Sequence, residues 1–558
     1  MDPASIRKAA RMRDLRYEFV RRVFKLRPPR AARVEYRKNL SAPMSDGVSL
    51  LADHYVPDGD TTAPLVLMRS PYGRRALIGL VARALAYEGF QVVVQSCRGT
   101  AGSGGRFDRP FRAEADDGRD TVAWLREQPF YPGRFATFCA SYLGYVQLAL
   151  PPESKTDLFG AVLQVTPSTT QDIVWPADGA LALASSLGWA IQAHRNPASQ
   201  LNALLARRDR KRVRTVGMTA PLLQSYKSGR RTRIGFLEDW WTHPDAADVF
   251  WHDQAHHDSL DTFGCPVLVQ TGWYDLLLGS SIGQYERLAA RGADVRLTVG
   301  PWTHATFASK GLRMVLAESA DFLRAASGLT PPLATPRVRL LDARSGAEQL
   351  ADSWPPASDA EQHYLAPGAL RPDPPGSESA ATSFTYDPSS PTPQVGGPLL
   401  EPGGGPVDNR ELEARADVVT FDMPYLIEDT EYIGTPSVEL WVTSDVPAPQ
   451  LFVRLNVVDS TGRSTNITDT LATVRADPVT PTLVTATLPP TCVRVYAGER
   501  LRLVVAGGAF PRFARNPGTG ESPVTATTFR VAHIDIHHDA AHPSKVVLPR
   551  IPVPTSNA

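Results

Sequence analysis

Cysteine is scarce in this chain of 558 residues: Cys97, Cys139, Cys265 and Cys492 are all there is. None forms a C-x-x-C pair, so neither a zinc site nor a disulfide framework is indicated. Free thiols fit a reducing compartment. An excess of either charge is also lacking, with 59 Lys plus Arg against 58 Asp plus Glu. That balance excludes a global field able to gather nucleic acid or an anionic membrane. Long apolar runs are missing too, so nothing reads as a membrane span. The start, Met1 to about Arg37, is basic and has no apolar core of signal-peptide length.

What is present is a globular composition, 42% hydrophobic, with ample sequence for a large core. A length prior of about 150 residues per domain allows two to four domains. The expected division is a basic N-terminal extension over 1–38, a core over 39–166, a helical insertion over 167–260, the rest of the core over 261–330, and a β-rich domain over 331–558. Within the extension, Arg11 to Lys25 has helical spacing. Leu15, Phe19, Val23 and Phe24 fall roughly on one side, a face expected to pack on the body.

From Val48 the chain alternates short apolar runs with helical patterns. Strands are expected at Val48–Val56, Pro64–Arg69, Phe90–Gln95, Arg134–Phe138, Gly160–Val165, Cys265–Thr271 and Asp294–Val299. Helices are expected at Ala76–Tyr87, Glu114–Gln128, Ser280–Arg291 and Lys310–Ala326. Runs apolar throughout, rather than alternating, imply a parallel sheet covered on both faces. Between Pro167 and Leu260 no strand pattern appears, and helices are expected at Leu181–His194, Ala198–Arg212 and Pro221–Lys227. That insertion holds two basic clusters, Arg207–Arg214 and Lys227–Arg233, read as solvated helix faces. Trp175, Trp189, Trp240, Trp241 and Trp251 read singly as core and together as material for an aromatic pocket. Beyond Pro331, short alternating strands between Pro/Gly/Ser-rich joints, notably Asp373–Pro406, read as a β-sandwich or jelly roll.

The chemistry gathers around Phe138-Cys139-Ala140-Ser141-Tyr142-Leu143-Gly144. A serine at a sharp strand-to-helix turn is the layout of a nucleophile elbow. A serine hydroxyl is a poor nucleophile near neutral pH and needs a base, which in turn needs an acid to orient it. On an α/β-hydrolase sheet these follow in the order Ser, Asp or Glu, His, each after a strand. Ser141, Asp275 and His304 supply that order in that context. The backbone N–H of Tyr142, next to the serine, is the expected first oxyanion donor. Tyr72, in the loop after an early strand, offers a phenolic hydroxyl as a second.

Further motifs agree: Pro71-Tyr72, Arg98-Gly99, Asp117-Gly118-x-Asp120-Thr121-x-x-Trp124-Leu125, Gly272-Trp273-Tyr274-Asp275, Gly300-Pro301-Trp302-x-His304, Phe510-Pro511-Arg512-Phe513-x-Arg515-Asn516 and His542-Pro543-Ser544. With the elbow, they resemble the cocaine esterase / X-Pro dipeptidyl-peptidase (CocE/NonD) family of serine hydrolases over nearly the whole chain. The resemblance implies an α/β-hydrolase core, an inserted helical cap and a C-terminal jelly roll. It also implies Ser141 as nucleophile, Asp275 and His304 as its partners, and Tyr72 as oxyanion donor.

Two positions depart from that family. Cys139 stands where glycine usually lets the elbow close without a Cβ clash, so a shifted elbow is expected. Ser96-Cys97-Arg98-Gly99 replaces Asp-x-Arg-Gly, so Arg98 is expected to lose an ion-pair partner. Cys139 itself, inside a strand, reads as structural rather than nucleophilic. His533, Asp535 and His537 share one strand face, but in that setting they read as an ordinary sandwich strand, and no metal is expected.

The expectation is therefore a cytoplasmic serine esterase, acylase or peptidase-type hydrolase acting on a small-molecule ester or amide. No cofactor, nucleic acid or membrane partner is expected, and a homo-oligomer is compatible with the chain. Two alternatives stand beside it: an acyltransferase passing the acyl group from Ser141 to an alcohol or amine, and a non-catalytic binding protein on a hydrolase scaffold. Glu238 and Asp239 are the cap carboxylates a substrate amine would need.

Overall fold

Apolar runs such as Gln91–Ser96 and Leu158–Gln164 are buried along their whole length, which requires cover on both faces of the sheet they form. The computed structural model describes residues 17–19, 21–176, 179–195, 203–228, 233–334, 336–376 and 381–552. Its first sheet contains β1 (Val34–Pro43), β2 (Ser49–Pro57), β3 (Leu65–Ser70), β4 (Gln91–Ser96), β5 (Phe135–Ala140), β6 (Leu158–Gln164), β7 (Val267–Tyr274), β8 (Val295–Thr303), β9 (Val338–Leu341) and β10 (Glu348–Ala351). They lie side by side in the order 1-2-4-3-5-6-7-8-9-10. From β4 to β9 every pairing is parallel, while β1, β2 and β10 join antiparallel.

Helices α1 (Ala76–Tyr87), α2 (Glu114–Arg126) and α3 (Tyr142–Leu148) cross between early strands. Among the described residues the elements between β6 and β7 are all helical: α4 (Gln171–Val174), α5 (Leu183–Arg195), α6 (Ala203–Met218), α7 (Leu222–Ser228) and α8 (Gly235–Thr242), with short 3₁₀ turns. The later crossovers are α9 (Leu278–Ala290), α10 (His304–Phe307) and α11 (Leu312–Ala326). This is an α/β-hydrolase core carrying a helical cap. The cap is not a detached lid, because Trp175, Leu187, Trp189 and Trp241 share one buried cluster with Val92, Phe138 and Tyr142 of the core.

Two expected boundaries move. The extension drawn over 1–38 runs into the sheet, because Val34–Arg37 pair with His54–Pro57 as part of β1. The division at 331 falls before β9 and β10, which extend the first sheet from β8. The N-terminal helical face also differs. Tyr17 is the buried residue, stacked on Tyr87 with ring centres 4.3 Å apart, while Phe19 and Val23 are exposed. Tyr17 and Phe24 lie two turns apart on one side, so the apolar stripe runs through 17 and 24. Leu15 lies outside the described residues.

The C-terminal region forms a second sheet system of thirteen described strands, nearly all antiparallel, around its own core of Leu440, Leu455, Leu503 and Ile534. It is the expected β-rich sandwich. Its strand Ala532–His537 carries His533, Asp535 and His537, each engaged separately with Thr385, Ser383 and Thr443 of neighbouring strands. Among the described residues no group of three metal-ligating side chains is assembled. No described helix is long and apolar enough to cross a membrane.

Candidate active site

The elbow is formed at the end of β5. Ser141 has φ 61° and ψ −124°, a sharply turned backbone between the strand and α3. Its N–H donates to Gln164 O on β6 at 2.9 Å, and its carbonyl accepts from Gly144 and Tyr145. Gly144 is required by packing: a Cβ there would lie 2.0 Å from Thr166 Oγ1. Gly144 therefore lets α3 lie against the chain just beyond β6.

Cys139 occupies its position without breaking the elbow. Its φ is 137°, a region L side chains rarely adopt, so the strain expected of a missing glycine is real but local. The thiol is buried, and burial pushes it up to about 12, which keeps it un-ionised near neutral pH. The expected displacement of the elbow is absent in the contacts that matter. Arg98 likewise keeps partners: its guanidinium pairs with Asp117 on α2, Nε to Oδ2 at 3.1 Å, and with Asp46 at 2.6 Å. The expected loss is made good because Asp117 approaches from the next helix, while Ser96 accepts from Arg74.

His304 joins the three strand ends. Its Nε2 is 3.1 Å from Ser141 Oγ, and its Nδ1 is 2.9 Å from Asp275 Oδ2. Asp275 is fully buried and takes a second bond from the Leu277 N–H at 2.7 Å. A carboxylate at Nδ1 selects the tautomer with its proton there, leaving Nε2 to accept the serine proton. His304 is held at the first turn of α10 by a reciprocal cap between Thr303 and Thr306.

Tyr142 opens α3, so its backbone N–H has no carbonyl one turn back within the helix. Its ring is fixed independently. The hydroxyl donates to Glu114 Oε1 at 2.7 Å and accepts from Phe111 N at 2.9 Å. Glu114 is buried with Arg69 as counter-ion at 3.1 Å, and burial still raises its carboxyl above the usual range. Sequence reasoning missed Glu114. Its only signal was its place at the start of α2, three residues before Asp117.

Tyr72 follows β3 and lies edge-on to Tyr142, with ring centres 6.4 Å apart. The cap reaches it: Trp189 Nε1 donates to the Tyr72 hydroxyl at 3.2 Å, and the Trp189 ring stacks on Tyr142. Of the five tryptophans considered, Trp189 is the one in contact with this site. Trp175, Trp241 and Trp251 spend their indole N–H groups on Trp240 O, Ser186 Oγ and His243 O inside the cap. Glu238 is taken up by Arg233 and Lys227, so it is no free amine site, and Asp239 is exposed. Residues 229–232 of the second basic cluster lie outside the described residues.

A strand-end Ser–His–Asp contact on a mixed sheet, with a helical cap above it, defines the α/β-hydrolase class of serine hydrolases. Residues 46–306 match the X-Pro dipeptidyl-peptidase (S15 family), and 333–547 match the X-Pro dipeptidyl-peptidase C-terminal non-catalytic domain. The chain belongs to the cocaine esterase / X-Pro dipeptidyl-peptidase (CocE/NonD) family and is a serine hydrolase. It is 29% identical to a cocaine esterase of Rhodococcus sp. over 92% of this chain and 98% of that one. In fold it resembles an aminopeptidase from a marine sediment Thaumarchaeota archaeon, with TM-score 0.79 at 22% identity over 93% of this chain and 97% of that one. An α-amino acid ester hydrolase gives 0.80 at 21% identity over the same shares.

Proposed function

We propose that the protein cleaves an ester or amide bond of a small molecule through an acyl-enzyme on Ser141. His304 takes the serine proton as Oγ attacks the carbonyl, and Asp275 stabilises the resulting imidazolium. The tetrahedral oxyanion is held by the Tyr142 N–H and the Tyr72 hydroxyl. His304 then returns the proton to the leaving group, and water, deprotonated by the same histidine, releases the acid. The observation that carries this reading is His304 within hydrogen-bond distance of both Ser141 and Asp275.

The test is direct. Phenylmethylsulfonyl fluoride is expected to label Ser141, and Ser141→Ala to abolish turnover of short-chain nitrophenyl esters. Turnover that survives in Ser141→Ala would overturn the mechanism.

A further inference from the structure

A cavity of about 190 Å3 lies where the cap, the core and the C-terminal domain meet. Its walls are mostly apolar and include Ile173 of α4, Val213 of α6, Leu276, Leu400 and Phe513. A cavity of about 150 Å3 with apolar walls stays dry and takes a benzene ring, so this one has room for a substituted ring or a branched alkyl group. Two of its lining residues tie it to the site through the chain. Leu276 follows Asp275 directly. Ser185 of α5 also lines it, and Trp189, one turn further along that helix, reaches Tyr72.

One wall group does not suit an apolar guest. Glu401 projects from the C-terminal domain so close to α5 that a Cβ on Gly188 would meet its Oε1 at 2.9 Å. The side chain is only 13% exposed. Among the described residues its single ion pair is with Arg210 of α6, at a loose 4.0 Å.

The other charged groups around the cavity have partners or face water. Asp172 of α4 accepts from Ser280 Oγ and the N–H groups of Ser168 and Thr169. Arg512 pairs with Asp469. Arg214 of α6 is exposed, with its guanidinium 5.7 Å from the Phe510 ring centre. Asp209 of α6 is buried nearby.

We propose that this cavity receives an uncharged alkyl or aryl group of the substrate, and that Glu401 is the specificity-determining residue that admits it only when its carboxyl is protonated. The inference rests on the hydrolase reading above. An apolar group seated there strips the last water from Glu401, and desolvation disfavours the charged form. Binding is therefore linked to the proton: the neutral carboxyl accepts the guest, and the carboxylate opposes it. Burial already pushes Glu401 up to about 7, against the pull of Arg210 and with Asp209 adding to the rise. The discrimination thus falls near neutral pH.

The experiment compares KM from pH 6 to 8.5 for phenyl acetate and ethyl benzoate, which carry a ring on opposite sides of the scissile bond, with ethyl acetate as the small control. In the native protein, KM for at least one ring ester is expected to rise above pH 7, by up to about tenfold per pH unit. Glu401→Gln is expected to flatten that profile, and Glu401→Leu to lower KM for the same ester at every pH. Ethyl acetate is expected to change little. Native-like melting of both variants checks their folding. Identical KM profiles in native and Glu401→Gln proteins, or ring esters bound no better than ethyl acetate, would overturn the proposal. Either result with normal native turnover leaves the hydrolase reading intact, whereas turnover by Ser141→Ala sinks that reading and removes the ground this inference stands on.

Discussion

Trp189 of the cap donates its indole N–H to the hydroxyl of Tyr72 at 3.2 Å. The donor that helps fix the phenol comes from a different layer of the fold. The cap is thereby wired to the proposed oxyanion site.

Tyr72→Phe keeps the ring and removes the donor. It is expected to lower kcat by about 10²–10³ with little change in KM, the signature of a bond made in the transition state. Trp189→Phe should cost less, roughly two- to tenfold, because it only frees the phenol. In the Tyr72→Phe background the Trp189 change should have almost no further effect on kcat. Additive losses from steady-state kinetics of the double variant would refute the coupling.

Asp275→Asn preserves shape but not charge. The amide no longer dictates the proton on His304 Nδ1 or stabilises the imidazolium, and kcat is expected to fall by about 10³–10⁴. Denaturant unfolding run in parallel separates this loss from any damage to the fold.

Cys139 offers a test of backbone strain. Glycine in an ordinary strand is less stable than alanine by about 0.5–1 kcal/mol. At φ 137° the order should invert, because a Cβ there costs about 1–3 kcal/mol. Cys139→Gly is expected to exceed Cys139→Ala by roughly 1 kcal/mol in urea unfolding. Both variants should stay active, and iodoacetamide at pH 7.5 should leave the native protein active, since the thiol is buried.

Lys155 predicts a pH effect on stability. Its ammonium donates to Ser259 O at 3.1 Å and Thr262 Oγ1 at 2.8 Å, and burial lowers it from 10.5 to about 7. In the unfolded chain the amine stays charged up to about 10.5, so between pH 7 and that value the unfolded state holds the extra proton. Stability from this group therefore climbs as pH rises through that window, by an amount on the order of a few kcal/mol. The stability difference between Lys155→Met and the native protein should favour the variant most at pH 6 and shrink toward pH 10. A difference constant with pH would contradict the lowered amine.

The parallel strands themselves and the three site residues were legible because buried parallel strands write themselves as continuous apolar runs, and the site residues stand directly after them. β1 was hidden because an edge strand such as Val-Glu-Tyr-Arg-Lys-Asn is half polar and resembles a basic tail. Val338–Leu341 was legible as a strand, but its place beside β8, and β10 beyond it, were not, because Pro331 and Pro332 mark a composition change that the hydrogen bonding ignores. The partners of Arg98, the role of Glu114 and the approach of Glu401 to α5 all depend on which helix or loop lies above which strand. No local pattern encodes that. Glu401 was the hardest to see, since it sits in a Pro/Gly-rich stretch that reads as a joint.

The pairing of β9 with β8 also bears on how such a chain can be shuffled. A gene cut at the apparent joint near codon 331 would leave Leu297–Val299 with one flank of amides and carbonyls bare, an open template for a foreign strand. A viable exchange of modules would have to break after Ala351 instead. The incoming C-terminal half would then bring its own counterpart of the Leu399–Pro402 loop to the cavity. Recombination at that point would change which substrates fit while leaving the serine, histidine and aspartate untouched.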